Sequence, residues 1–309
     1  MKKLSIVVPV YWNSGSLPSL FEELMNLEKK LAEKKLLLEL IFVDDGSGDD
    51  SLQILVDFKK RRPKHTVVVK HTRNFGAIPA YKSGLRYVTG DCFTALAADL
   101  QDPPELILQM ADMWLNGTKY VICKRQERED PFLSKVFAAV FYRLLRWIVA
   151  KDFPPGGFDL ALMDKQFLPF LQESGKNINP NLFAFWLGFK PEIIDYKRRK
   201  RTFGKSRWTF LKKVNLLIDS LLGFSITPIR LISVFGILIS LSSVGYGVFI
   251  VVNAFLGRME VRGFATIVSI LVFLLGLILV MLGVIGEYLW RTFDQVNRRP
   301  ESVIETVFK

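Results

Sequence analysis

Apolar residues follow two rhythms along the first part of this chain. Short, nearly unbroken runs rich in β-branched side chains occupy residues 4–10, 38–43, 66–70, 92–98 and 120–123. Between them the apolar positions recur every three or four residues. Leu17, Leu20, Phe21, Leu24, Leu27 and Leu31 follow Ser16, a residue type that caps helices. Similar spacing predicts helices near 51–60, 77–88 and 104–116. Fully apolar strands alternating with amphipathic helices predict an α/β fold with a doubly wound, mostly parallel sheet. Such sheets bind ligands at the carboxyl ends of their strands. The polar clusters at 11–14, 44–49, 73–74 and 99–102 all fall there.

Past residue 230 the rhythm disappears. Residues 231–257 and 264–286 carry no charge, and each is long enough to cross a hydrocarbon core that takes about 20 helical residues. The short link between them predicts a hairpin. Lys212, Lys213 and Arg230 precede it, and Arg291, Arg298 and Arg299 follow. The excess of basic flanks predicts an integral membrane protein with both termini and the domain before the hairpin cytoplasmic. Lys2 and Lys3 lead into an apolar run that Pro9 interrupts too early for a secretory signal. The expected organisation is a cytosolic domain over 1–205, a juxtamembrane segment over 206–230, a hairpin over 231–290 and a tail over 291–309. Residues 131–150 and 208–224 mix aromatic and basic residues at helical spacing. They read either as helices lying on a membrane surface or as core-packing helices. Glu287 reads as a solvated acid at the end of the second span.

Charge sharpens this picture. The chain has 42 Lys and Arg against 30 Asp and Glu, a net +12, and residues 197–213 hold nine basic side chains and no acid. That block abuts an apolar span and no recognition module accompanies it, so lipid or phosphate is the expected partner and nucleic acid is not. Two cysteines, Cys92 and Cys123, lie in apolar runs, and with only two histidines no Cys/His zinc site can be assembled. Both read as reduced packing residues.

No G-x-G-x-x-G follows the first strand. Gly204-Lys205-Ser206 lacks the strand and the first glycine of a P-loop. The remaining option is a nucleotide site built from acids, which tolerates phosphates only with a bridging divalent cation.

Four motifs occur in order: Ser5-Ile6-Val7-Val8-Pro9-Val10-Tyr11, Val43-Asp44-Asp45-Gly46-Ser47, Arg73-Asn74-Phe75-Gly76 and Asp99-Leu100-Gln101-Asp102-Pro103-Pro104-Glu105. The set resembles the inverting family 2 glycosyltransferases of GT-A fold. With the hairpin, nearly the whole chain resembles the polyprenyl-phosphate glycosyltransferases, of the dolichyl-phosphate mannose synthase type. The resemblance implies that Pro9, Tyr11, Asp44, Asp45, Asn74 and Lys82 bind the nucleotide sugar. It implies that Asp99, with Gln101, faces a magnesium or manganese ion and serves catalysis. The family's first acid is replaced here by Ala97, so one metal ligand is missing. Gly156-Gly157-Phe158-Asp159-Leu160 resembles the acceptor-side motif and makes Asp159 a catalytic candidate. Arg201, Lys205, Ser206 and Arg207 sit in a stretch resembling the family's phosphate-binding motif.

The implied reaction moves a hexose, with glucose the first choice, from a nucleotide sugar to polyprenyl phosphate with inversion. Acids at Asp44 and Asp45 suit a UDP-sugar. A homo-oligomer stays open. The competing readings are a processive polysaccharide synthase, whose Gln-x-x-Arg-Trp is here Gly204-Lys205-Ser206-Arg207-Trp208, and a membrane-tethered nucleotide-binding scaffold whose catalysis has decayed, favoured by Ala97.

Overall fold

A computed structural model of the chain describes residues 1–126, 139, 142–147, 151–176, 178–199, 219–220, 222–256 and 263–309. The chain divides into two compact units. One comprises Met1–Ser220 with Pro300–Lys309, the other Leu221–Arg299.

The first unit alternates strands and helices: β1 (Lys2–Val10), α1 (Leu17–Glu33), β2 (Leu36–Asp44), α2 (Ser51–Arg61), β3 (Thr66–His71), α3 (Ala77–Leu85), β4 (Cys92–Ala95), α4 (Glu105–Leu115) and β5 (Tyr120–Arg125). Then come β6 (Leu160–Asp164), α5 (Leu168–Glu173), α6 (Pro180–Trp186), β7 (Glu192–Tyr196) and, after the second unit, β8 (Ile304–Phe308). Eight strands form one sheet in the order β7-β5-β6-β4-β1-β2-β3-β8. The pairs β1–β2, β1–β4, β2–β3 and β5–β7 are parallel, whereas β6 and β8 run antiparallel to their neighbours.

The central strands β1 and β2 are largely apolar on both sides, and both sides are covered. Leu4, Ile6, Val8 and Val10 of β1 join Leu36, Leu38, Leu40 and Phe42 of β2 in one core. There they meet Leu17, Leu20, Leu24, Leu27 and Leu31 of α1, with parts of α2 and α4. Val7, Ile41 and Val43 point the other way, toward Ala80, Tyr81 and Leu85 of α3 and residues of α5 and α6. Each such leucine, wholly buried, contributes roughly 1.5–3 kcal/mol. Cys92 and Cys123 are free and buried in the first core. Ser16 precedes α1 but makes no capping hydrogen bond; its hydroxyl donates to the carbonyl of Ala98 at 2.7 Å. That bond ties the loop after β1 to the loop after β4, across the point where strand order reverses.

The second unit contains α7 (Thr227–Phe255) and α8 (Phe264–Val296). Both are long and apolar enough to cross a membrane, and their apolar windows are not buried within the protein. Glu287 pairs with Arg291 one turn on at 3.0 Å. Two boundaries differ from the sequence expectation. Helix α8 continues to Val296, and the expected tail over 291–309 contains β8, which returns to the first unit's sheet. Five residues of β-branched and aromatic character at an edge are too few for periodicity to reveal. Most of the segments 131–150 and 208–224 lie outside the described residues.

Candidate functional site

Strand β1 is flanked by β2 on one side and β4 on the other, so the chain departs in opposite directions from β1 and leaves a crevice at the carboxyl ends. Three loops meet there. Backbone amides of the first are held by the second: Trp12 N–H donates to Ser47 Oγ (3.0 Å) and Ser14 N–H to Asp49 Oδ2 (3.1 Å). Asn13 N–H donates to Ser51 Oγ at 2.9 Å. Burial opposes the charge of Asp49, but bonds from Ser51 and Ser14 outweigh it and hold its carboxyl below the usual value. Trp12 is half-exposed with φ 58°, a left-handed backbone that costs a non-glycine residue energy and recurs at functional sites. Gly46 has φ 68°, and a Cβ there would sit 2.6 Å from the Arg73 carbonyl carbon, so this close approach of two loops needs glycine.

Asp44 ends β2 and is 1% exposed. Its Oδ2 accepts from Ser47 N–H at 3.3 Å, while Oδ1 is buried with no partner among the described residues. Burial pushes its carboxyl up, with the Ser47 bond opposing. A buried acceptor left open costs about 1–3 kcal/mol and calls for a donor from water or a ligand. Asp45 differs. Its oxygens accept from Phe75 N–H (2.9 Å), Gly76 N–H (2.7 Å) and His71 Nδ1 (2.8 Å). The structure thus gives it to the protein's own loop. Lys82, grouped with the nucleotide ligands in the sequence, is 9% exposed and donates to the Gly175 carbonyl (2.7 Å) and to Glu301 (3.0 Å). Pro9 and Tyr11 stand at the crevice, partly buried, and Asn74 is exposed on the neighbouring loop.

On the β4 side, Leu100 has φ 58° and Asp99 Oδ1 accepts from Gln101 N–H at 3.2 Å. Beyond it lies a network absent from the sequence reading. Asp159 is paired through both oxygens with Arg125, which closes β5; the Nη2–Oδ1 distance is 2.7 Å. Tyr196 OH, at the end of β7, lies 2.6 Å from Asp102 Oδ1 and 3.0 Å from Asp159 Oδ2. Asp102 pairs in turn with Arg198 at 3.0 Å. Burial raises the Asp102 carboxyl, Arg198 opposing; burial likewise raises the Tyr196 hydroxyl, with both acids adding to it. Burial works against the charge of Arg125, but pairing with Asp159 outweighs it. The basic block therefore begins already paired: Arg199 meets Glu23 and Glu105, and its N–H donates to the Gln101 carbonyl at 3.0 Å. Arg201, Lys205, Ser206 and Arg207 lie outside the described residues. The available signal for Arg125 and Tyr196 was a polar residue closing an apolar strand at the carboxyl edge.

Residues 5–165, which include the crevice and Asp159, match glycosyl transferase family 2. The chain belongs to that family. Relatives of this family 2 glycosyltransferase include a prophage bactoprenol glucosyl transferase homolog of Escherichia coli, 29% identical over 99% of this chain and 100% of the relative. Another is the undecaprenyl-phosphate 4-deoxy-4-formamido-L-arabinose transferase of Klebsiella pneumoniae, 30% identical over 100% of this chain and 94% of its own. Among solved structures, glucosyl-3-phosphoglycerate synthase from Mycobacterium tuberculosis, in complex with Mn2+ and UDP-glucose, has a TM-score of 0.50 at 18% identity. The match covers 72% of this chain and 79% of that one, and the shared fold is GT-A.

In that synthase a manganese ion accompanies the nucleotide sugar. Among the described residues of this transferase, no three His, Cys, Asp or Glu side chains come together as a cage. A magnesium or manganese ion bridging to a diphosphate needs only one or two carboxylates. Asp99, partly buried and hydrogen-bonded to the Gln101 amide, is a candidate for one. The donor set fits an ion completed by substrate oxygens.

Proposed function

We propose that this protein transfers a hexose, with glucose the first choice, from a UDP-sugar to polyprenyl phosphate. The observation that carries the reading is the crevice between the β1, β2 and β4 loops, where Asp44 has a buried oxygen with no partner among the described residues. A uracil N–H or a ribose hydroxyl matches that acceptor, with Pro9, Tyr11 and Asn74 around it. The divalent ion, held by Asp99 with Gln101, would neutralise charge on the diphosphate.

A phosphate oxygen of the acceptor attacks the anomeric carbon, the bond to the diphosphate breaks, and the electron pair leaves with the nucleoside diphosphate; configuration inverts. A phosphate monoester has a second pKa of about 6 and is largely dianionic at neutral pH, so the reaction needs no strong base. Asp159 fits that chemistry as the residue that holds Arg125, because both its oxygens are already engaged. Arg125 is then a cation for the acceptor side, the role the sequence resemblance gives to Arg201, Lys205 and Arg207, with Ser206 as a neutral hydroxyl donor.

A lipid acceptor explains the apolar pair α7 and α8, since its phosphate stays at the bilayer surface. The first unit takes strands from before and after that pair, which supports two spans returning the chain to the side it left. The basic flanks support a cytoplasmic location for that side.

Purified full-length protein, polyprenyl phosphate, manganese and a panel of nucleotide sugars should release nucleoside diphosphate and give a lipid-phosphate sugar. Turnover with a water-soluble sugar acceptor and none with the lipid phosphate refutes the assignment. Ala97 favours one second reading, a scaffold that binds the nucleotide without turnover. The same panel, read by calorimetry, separates the two.

A further inference from the structure

The chain does not end at its apolar helices. Pro300–Lys309 returns to the first unit, where β8 pairs with β3 from Val68↔Phe308 to Lys70↔Thr306. Thr72 N–H also donates to the Val303 carbonyl at 3.1 Å. Two side chains just before β8 reach inward. Glu301 meets the buried ammonium of Lys82, which the Gly175 carbonyl also holds. Ser302, 8% exposed, has its Oγ 2.7 Å from Ser83 Oγ.

From Ser83 a line of hydrogen bonds runs to the crevice. Ser83 Oγ is 2.9 Å from His71 Nε2, and His71 Nδ1 is 2.8 Å from Asp45 Oδ1; His71 is wholly buried. A carboxylate only accepts, so Nδ1 carries the hydrogen; in the neutral ring Nε2 then accepts from Ser83, and Ser83 accepts from Ser302. Every donor in the line points toward Asp45. That carboxylate fixes the amides of Phe75 and Gly76, and their loop presses on Gly46 beside Asp44. Buried polar lines of this kind are rigid only when every member is satisfied.

We propose that the segment following the apolar helices is a working part of the donor site: Ser302 and His71 are positioning residues that fix the Arg73–Gly76 and Asp44–Ser47 loops for the nucleotide sugar. The inference rests on the donor reading of the crevice. It makes the last ten residues, remote in sequence from all four motifs, a determinant of donor affinity. The second unit is then a tether, and the segment that follows it, itself part of the first unit, completes the site.

The test uses the full chain with Ser302→Ala, Ser302→Thr and Glu301→Gln. Losing one buried bond of the line should raise the donor KM about five- to tenfold in Ser302→Ala and leave kcat and the acceptor KM within about twofold. Ser302→Thr keeps the hydroxyl and should restore the donor KM. Amide hydrogen exchange reads the same line without ligand: Phe75 and Gly76 should exchange at least about tenfold faster in Ser302→Ala than in Ser302→Thr. A lowered melting temperature with unchanged donor KM and unchanged exchange makes Ser302 merely structural and overturns the proposal. If the unmodified chain binds UDP and Ser302→Ala binds it equally, only this inference falls. If the unmodified chain binds no nucleotide of the panel, the donor reading falls and takes this inference with it.

Discussion

Asp44→Asn should make the protein more stable and weaken its hold on the donor at once. The carboxyl is 1% exposed, burial raises its proton affinity, and one oxygen is unpartnered among the described residues. The sign follows from linkage. Between the ordinary aspartate value and the raised native one, the native state holds a proton that the unfolded chain has released, so stability falls as pH rises through that window. Above the window the full cost of the buried charge is present; below pH 3.8 it is gone. Asparagine keeps an oxygen for the Ser47 amide and puts a neutral amide where the open carboxylate oxygen stood. The gain at pH 7.5 should be roughly 0.5–2 kcal/mol, the usual size of a cost retained for function. At about 2–4 °C per kcal/mol for a domain of this size, the melting point should rise by a few degrees. Melting curves of the full chain in detergent at about pH 4 and 7.5 check this, and the gap should shrink toward acid. UDP affinity should drop about 10- to 100-fold with loss of a charged acceptor worth about 1.5–3 kcal/mol. A variant less stable at pH 7.5, or a gap that widens on acidification, refutes the reasoning.

Three further outcomes are expected. Ala97→Asp adds a second carboxylate beside Asp99, so half-maximal turnover should need about tenfold less manganese, while Asp99→Asn should cut turnover by about 100-fold or more; a metal titration that neither variant shifts moves the ion elsewhere. Asp159→Asn and Arg125→Met should each destabilise by roughly 1–3 kcal/mol by leaving an uncompensated charge in the Asp102–Tyr196–Arg198 network, and the double variant should recover part of it; strictly additive losses in thermal melts would mean the pair is not coupled. Burial pushes the Cys123 thiol up to about 12 and the Cys92 thiol higher still, so neither should react with a disulfide reagent until the protein unfolds; a fast-reacting thiol in the native state contradicts their place in the core.

The sequence by itself determined the alternating α/β order of the first unit, the two long apolar helices, the crevice loops and the family motifs. The reason is local: period-two and period-3.6 patterns are properties of neighbouring residues, and a motif keeps its spacing whether or not the chain is folded. Position 44 was legible as a candidate acid because it closes an apolar strand in a motif. What Asp45, Lys82 and Asp159 do was not, because each finds partners far away in the chain: Asp45 at His71 and Phe75, Lys82 at Glu301, Asp159 at Arg125 and Tyr196. Strand β8 was invisible for the same reason. An edge strand of five residues gains its hydrogen bonds only from a neighbour more than two hundred positions earlier, so folding alone brings Glu301 and Ser302, just before it, against Lys82 and Ser83.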